Sequence, residues 1–308
     1  MVAVIIPTYN RCSTLERCLN SLEQQTFADL EIVVIDDGST DDTGALVARL
    51  AGSSRLDLRY VRQPNRGCAA ARNTGLRESC SELFLFLDSD DALEPQAIAS
   101  LAAELDRSGA DYVYSPAIEV YPDGMVAPNS PVAAGRPEDF AVEHFLDPNV
   151  RNGAVMFRRQ LLDRVGWVNE SMRYNEDSDF VQRYSLIGRA AYCDVPTVRH
   201  YHHAGNKSAN RVRIYGALLD SCERILADNP GFLGRLGHRA DARLDEIRRL
   251  SLESLILAGD FAAAATLAPK VDDLPWPDRL ALAWRLRMPV VVAQAVRSSL
   301  AAVRRRMP

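Results

Sequence analysis

The chain has 308 residues, 47% apolar and 25% charged, with 36 basic against 41 acidic side chains and a formal net charge of −5. That length supports about two domains with a proper buried core, and the composition excludes a disordered chain, a collagen-like repeat and a coiled-coil rod. The acidic balance argues against a general nucleic-acid binder, which would carry a basic surface. The cysteines Cys12, Cys18, Cys68, Cys80, Cys193 and Cys222 form no Cys-x-x-Cys pair, so they read as scattered reduced thiols. The first residues show no secretory pattern, and no run approaches the ~20 apolar residues of a spanning helix. A cytoplasmic protein is expected.

In chain order, Val2 to Ile6 is a short apolar run ending in Pro7-Thr8-Tyr9-Asn10, and Leu15, Leu19 and Leu22 recur at helical spacing. Glu31 to Ile35 is a second buried strand, ended by Asp36-Asp37-Gly38-Ser39, and Ala45 to Leu50 is helical. Leu56 to Val61, a small-residue helix from Gly67 to Leu76, and Leu83 to Leu87 follow, the last stopped by Asp88-Ser89-Asp90-Asp91. Strands and helices alternating at this pitch predict βαβ units and a largely parallel sheet. Ligands of such sheets sit beyond the carboxyl ends of the strands, so the three polar clusters should line one cleft. Beyond Pro95 a helix, a strand at Tyr112 to Tyr114, a loop over 121–138, a strand at Ala154 to Phe157 and a helix over Glu176 to Ile187 are expected. From about Val212 the pattern is all-helical.

Asp88-Ser89-Asp90-Asp91 is the strongest chemical signal. Carboxylates this close repel unless a cation lies between them, and hard oxygen ligands suit Mg²⁺ or Mn²⁺, which also take substrate phosphates. The same residues fit a polar turn capping the next helix. Asp37 lies in the predicted cleft as an acceptor for the N–H of a pyrimidine base, although Asp-Gly is also ordinary turn chemistry. Glu176 and Asp177 open a helix behind Asn175, where the dipole favours anions. Asp177, three residues before Phe180, reads either as a general base or as a simple first-turn acid. His200, His202 and His203, followed by Asn206-Lys207-Ser208, fit a diphosphate or metal contact, or a polar strand and loop. Gly67 to Asn73 is not a dinucleotide fingerprint. Ala69 to Ala71 read as packing, with Arg72 supplying charge towards a nucleotide.

The motifs Val-Ile-Ile-Pro-Thr-Tyr-Asn-Arg, Gln-Gln-Thr-Phe, Ile-Val-Val-Ile-Asp-Asp-Gly-Ser, Asn-Arg-Gly, Phe-Leu-Asp-Ser-Asp-Asp, Asn-Glu-Asp-Ser-Asp-Phe and His-x-x-Asn-x-Ser occur in this order. Together they closely resemble the family 2 glycosyltransferases with the GT-A fold, over about residues 1–210. The resemblance implies an α/β protein with a Rossmann-like, mostly parallel sheet flanked by helices; the C-terminal all-helical extension read from the residue pattern lies beyond it. Together they divide the chain into a nucleotide-sugar-binding half (1–100), an acceptor-binding and catalytic half (101–211) and a helical region (212–308). The resemblance also implies inverting transfer of a sugar from a nucleoside diphosphate, a UDP-sugar first, to a hydroxyl of a glycan, lipid-linked or other acceptor.

Carried over residue by residue, Pro7, Thr8 and Tyr9 border the base, Asp37 binds it, and Arg72 and Ser89 lie near the nucleotide. Asp88, Asp90 and His203 surround Mn²⁺ or Mg²⁺, with Asp90 the direct ligand. Asp177 is the catalytic base, and Glu176, His202 and Lys207 support it or the acceptor. The usual Tyr-Arg-x-His lead-in is absent, since His200-Tyr201-His202 precedes His203, which leaves open which histidine faces inward. An inactive nucleotide-sugar-binding protein and a nucleotidyltransferase, which would release pyrophosphate, are the alternatives. After Asp278 the chain is basic, with Trp284, Arg285, Arg287, Arg297 and Arg304 to Arg306 among apolar residues. Such a helix either lies on the inner membrane face or packs on the helical region.

Overall fold

A computed structural model describes residues 1–53, 57–131, 133–203 and 210–267. The chain divides into two compact units, Met1–Asn206 and Lys207–Pro308. The first unit holds strands β1 (Val2–Thr8), β2 (Leu30–Asp36), β3 (Asp57–Arg62), β4 (Leu83–Phe86), β5 (Ala92–Leu93), β6 (Tyr112–Tyr114), β7 (Ala117–Val120), β8 (Val126–Asn129), β9 (Val155–Arg158), β10 (Ala190–Tyr192) and β11 (Val198–Tyr201). Its helices are α1 (Cys12–Glu23), α2 (Thr43–Ser53), α3 (Cys68–Glu78), α4 (Ala97–Ser108), α5 (Phe140–Leu146), α6 (Leu162–Val165) and α7 (Glu176–Ile187).

Seven strands form the main sheet in the order β10-β6-β9-β4-β1-β2-β3. All neighbours are parallel except β9, which runs antiparallel to both β4 and β6. Central strands β1 and β2 are apolar because both their faces are covered. Val4, Ile6 and Leu85 face the core shared with Leu15 and Leu19 of α1 and Ile98 and Leu101 of α4. Ile5, Phe84 and Phe86 face the core shared with Leu76 of α3, Phe140 of α5, and Phe180 and Tyr184 of α7. Pro7 is tolerated in β1 because the β4 ladder ends at Ile5 opposite Phe86, so its missing N–H breaks no bond there. The small-residue run of α3 has a packing cause: a Cβ on Gly75 would stand 2.3 Å from Ile5 Cγ2. This close approach lays α3 directly on β1 and carries Arg72 beneath the cleft.

A second sheet has the order β5-β11-β7-β8. The loop expected over 121–138 contains strand β8, antiparallel to β7. Gly124, at φ 84°, closes the hairpin, with Gly124 N donating to Tyr121 O. The half-exposed edge strand Val-Ala-Pro-Asn is only four residues long and contains Pro128, which is compatible with an edge.

The second unit comprises α8 (Arg211–Asp228), α9 (Pro230–Leu236), α10 (Arg239–Ala258) and α11 (Phe261–Leu267). Asn210 caps α8 by accepting from Arg213 N, and Gly259, at φ 79°, ends α10. Leu252, Leu255 and Ile256 pack on Ala264 across that turn, and Arg248 of α10 pairs with Glu223 of α8 at 2.9 Å. None of the described helices is long and apolar enough to cross a membrane. Lys207 and the basic tail from Trp284 to Arg306 lie outside the described residues.

Candidate active site

Strands β1, β2 and β4 are parallel neighbours, so Thr8, Asp36-Asp37 and Asp88 to Asp91 emerge at one sheet edge. Hydrogen bonds stitch the first two turns together. Asn10 N donates to Ser39 Oγ at 2.9 Å, and Asn10 Oδ1 accepts from Thr40 N at 2.8 Å. Asp36 is buried and accepts from Ser39 N and Tyr60 Oη. Burial and that bond push the Tyr60 phenol up to about 12. Asp37 Oδ1 accepts from Gln63 Nε2 and Arg66 N, and Oδ2 from Gly67 N, at 2.8–2.9 Å. A carboxylate offers about four acceptor positions, so Asp37 anchors the loop before α3 and keeps one position on Oδ2. Pro7 is buried and Tyr9 is exposed. Thr8 Oγ1 is buried with no hydrogen-bond partner among the described residues.

Arg72, expected near the nucleotide, is buried beneath the cleft. It is 2% exposed, and its Nη1 and Nη2 donate to Glu176 Oε1 and Asp88 Oδ1, each at 3.0 Å. Asp177 Oδ2 stands 4.0 Å from Nη2. The guanidinium is thus a buried counter-charge to carboxylates from the β4 turn and the start of α7. Asn152 Nδ2 bridges the same two segments, donating to Asp88 Oδ2 at 3.0 Å and to Asp177 Oδ2 at 3.1 Å. Asp88, expected as part of the metal set, therefore has both oxygens engaged by Arg72 and Asn152. Asp177 remains 41% exposed, while Glu176 beside it is buried.

Aromatic packing fixes this geometry. Phe180 meets Phe86 at 5.6 Å and Phe157 at 5.5 Å, so α7 is clamped to the strand that ends two residues before Asp88. Asn175 precedes α7 with φ 61° and makes no side-chain cap bond.

Asp90 and His203 are far apart in sequence but meet in space, with His203 Nε2 at 2.9 Å from Asp90 Oδ2. Arg11 Nη1 lies 3.4 Å from that oxygen and 3.3 Å from that nitrogen. Arg17 Nη2 holds the backbone by donating to Asp90 O at 2.6 Å, its guanidinium over the Tyr201 ring. Ser89 is buried inside the turn. His200 Nδ1 instead meets buried Asp91 at 3.0 Å, and His202 Nε2 meets Glu119 at 2.7 Å. Among the three histidines, His203 is the one placed on the Asp-x-Asp motif.

Sequence reasoning missed Asn152, Arg11, Arg17 and Glu119. Because β9 runs antiparallel, the loop before it, and not the one after it, reaches the cleft, so searching only behind strand ends passes over Asn152. His144 of α5 was also silent. It is buried, stacks on Phe140 at 5.2 Å, and approaches Ser178 O with Nε2 at 3.4 Å. Burial lowers its pKa from 6.5 to about 4. Between those values the unfolded chain binds a proton that the folded chain refuses, so stability falls as pH falls. The loss from this group is on the order of 2 kcal/mol at pH 5 relative to pH 7. Urea denaturation at both pH values should show a smaller loss for His144→Gln than for wild type. Equal losses would mean the imidazole is protonated in place.

Comparison with known proteins agrees with this architecture. The family model described as glycosyl transferase family 2 matches residues 3–166. An uncharacterized glycosyltransferase of Haemophilus influenzae is 26% identical over 213 residues, covering 65% of this chain and 70% of that protein. Longer curated relatives are matched over only 16–22% of their own length. The mannosyltransferase PcManGT from Pyrobaculum calidifontis, solved with GDP-Man and Mn²⁺, superposes with a TM-score of 0.63 at 24% identity, over 96% of this chain and 86% of that one. S. aureus TarS 1-349 with UDP-GlcNAc gives 0.60 at 23% identity, over 91% and 79%. With the family model covering more than half of the chain and the mostly parallel sheet ending in an Asp-x-Asp turn, this chain is a family 2 glycosyltransferase built on the GT-A fold.

Proposed function

We propose that the chain moves a sugar from a nucleoside-diphosphate donor to a hydroxyl of a glycan or lipid-linked acceptor, with inversion at the anomeric carbon. The observation that carries this reading is the half-exposed Asp177 carboxylate, held by Asn152 against Asp88 over the buried Arg72. Asp177 takes the acceptor proton while the hydroxyl oxygen attacks the anomeric carbon from the face opposite the diphosphate. The anomeric C–O bond breaks, its electron pair stays with the departing diphosphate, and a single displacement inverts the centre. Arg72, Glu176 and Asn152 position Asp177 without touching the donor, and His202 and Lys207 belong to the acceptor side.

The oxygen and nitrogen donors of Asp90 and His203, already 2.9 Å apart, suit a divalent cation such as Mn²⁺ or Mg²⁺. When bound, that ion supplies Lewis-acid stabilisation of the leaving diphosphate. Arg11 adds fixed positive charge at the same point. Thr8, Tyr9 and the open position on Asp37 Oδ2 form the base subsite, with Pro7 and Ser89 shaping its walls. An acceptor there favours an N–H of uracil, so a uridine nucleotide is the first choice. The structural neighbours hold both UDP-GlcNAc and GDP-Man.

Calorimetry with Mn²⁺ should rank UDP above GDP and dTDP. Asp90→Ala should weaken UDP binding far more than uridine binding. No uridine preference would remove Asp37 from base selection, and equal losses for UDP and uridine would remove Asp90 from the diphosphate. Residues 1–100 serve the donor in this reading, 101–211 the acceptor, and 212–308 the helical region. We propose further that the basic tail from Trp284 to Arg306 contacts the inner membrane face, the alternative being that it packs on the helical region. Co-sedimentation with anionic vesicles should be lost in a chain ending near Asp278, and equal partitioning of the two chains would end the membrane assignment.

A further inference from the structure

The histidines that do not face Asp90 belong to a second cluster. In the small sheet, His200 lies opposite Glu119 across the β11–β7 ladder, and His202 N donates to Val120 O at 2.8 Å. One ligand atom from each of Glu119, His200 and His202 lies within 4.8 Å of the others.

Each of these side chains is oriented by a further contact. His200 Nδ1 is 3.0 Å from Asp91 Oδ2, and Asp91 Oδ1 is itself fixed by Tyr201 N at 3.0 Å. A histidine bound to a carboxylate through Nδ1–H presents the Nε2 lone pair. Glu119 Oε1 accepts from Arg151 Nε at 2.9 Å and from Asn129 Nδ2 at 2.5 Å, while Oε2 meets His202 Nε2. The His202 ring stacks on Tyr121 at 4.4 Å, 2° from parallel. Ligands held from behind by carboxylates, amides and rings are what a protein metal centre requires.

We propose that Glu119, His200 and His202 form a divalent-cation site of the zinc class, distinct from the Asp90–His203 pair. Two imidazoles and one carboxylate suit Zn²⁺ with a water in the fourth position. Arg151 offsets much of the Glu119 charge, which disfavours Mg²⁺, a purely electrostatic guest, and leaves the imidazoles to select a transition metal. The cation takes the place of the hydrogen bond between His202 Nε2 and Glu119 Oε2, and the neutral imidazole then carries its N–H on Nδ1. Bound there, it clips β11 to β7 and steadies the segment that carries His203.

The test uses the full chain stripped of metal, with Co²⁺ as a spectroscopic probe for Zn²⁺. One Co²⁺ per chain, apart from any ion taken by Asp90 and His203, should show the intense visible absorption of a four-coordinate site. That signal should persist in an Asp90→Asn/His203→Gln variant and vanish in a His200→Gln/His202→Gln variant. Asp91→Asn should weaken uptake by about 10–100-fold. Zn²⁺ alone should raise the melting temperature of the wild-type chain. A wild-type melting temperature unmoved by Zn²⁺ overturns the site without reference to any variant. Co²⁺ absorption lost with Asp90 and His203 but kept without His200 and His202 overturns it equally.

Discussion

Asp177→Asn lowers transfer by ~10²–10⁴-fold while donor binding changes little, because the amide keeps the shape of the side chain but accepts no proton. The proposed base is well suited to this test. Its Oδ2 accepts from Asn152 Nδ2 at 3.1 Å and its Oδ1 from the N–H of Ser178 at 2.8 Å, so an amide of equal size keeps the Ser178 bond through its oxygen and gives up the Asn152 bond, where its NH2 meets another donor. Single-turnover rates beside calorimetric donor affinities separate the two effects. A variant that keeps most of its turnover removes Asp177 from the chemistry. A variant that loses donor binding in proportion makes it a binding residue.

Arg72→Met costs about 3–5 kcal/mol of folding stability, the range for removing one partner of a buried ion pair. The guanidinium is 2% exposed, and the Glu176 carboxylate it holds is 7% exposed, so neither has water to replace the other. Adding Glu176→Gln to Arg72→Met should recover part of the loss, since it removes the stranded charge. Urea denaturation of the single and double variants measures both. A loss below about 1 kcal/mol, the level of an exposed pair, would mean that water reaches the cluster.

Much of the cleft at the ends of β1, β2 and β4 was legible from the sequence because it follows local rules. Apolar runs such as Val2 to Ile6 and Glu31 to Ile35 can only be buried strands, and their polar ends must share an edge once the strands are parallel. Asp37, Asp88 and Asp90 were found that way. The rest of the candidate site depends on pairings between distant segments. Asn152 meets Asp88 because β9 enters the sheet backwards, and Glu119 meets His202 because β7 and β11 pair across more than eighty residues. Strand β8 is four residues long, half-exposed, on an edge and interrupted by Pro128, so it leaves no clear strand signature. Arg72 was legible as a charge among alanines, but its inward direction follows from Gly75 resting on Ile5, which spacing does not reveal.

The most direct measurement of sugar transfer follows the products by NMR, with Mn²⁺, a panel of nucleotide sugars and simple glycan acceptors, for wild type and Asp177→Asn side by side. Wild type should release a nucleoside diphosphate and form a glycoside of inverted anomeric configuration, while Asp177→Asn binds the donor and forms neither. Release of pyrophosphate, retention of configuration, or a bound donor that wild type never turns over would contradict the proposal.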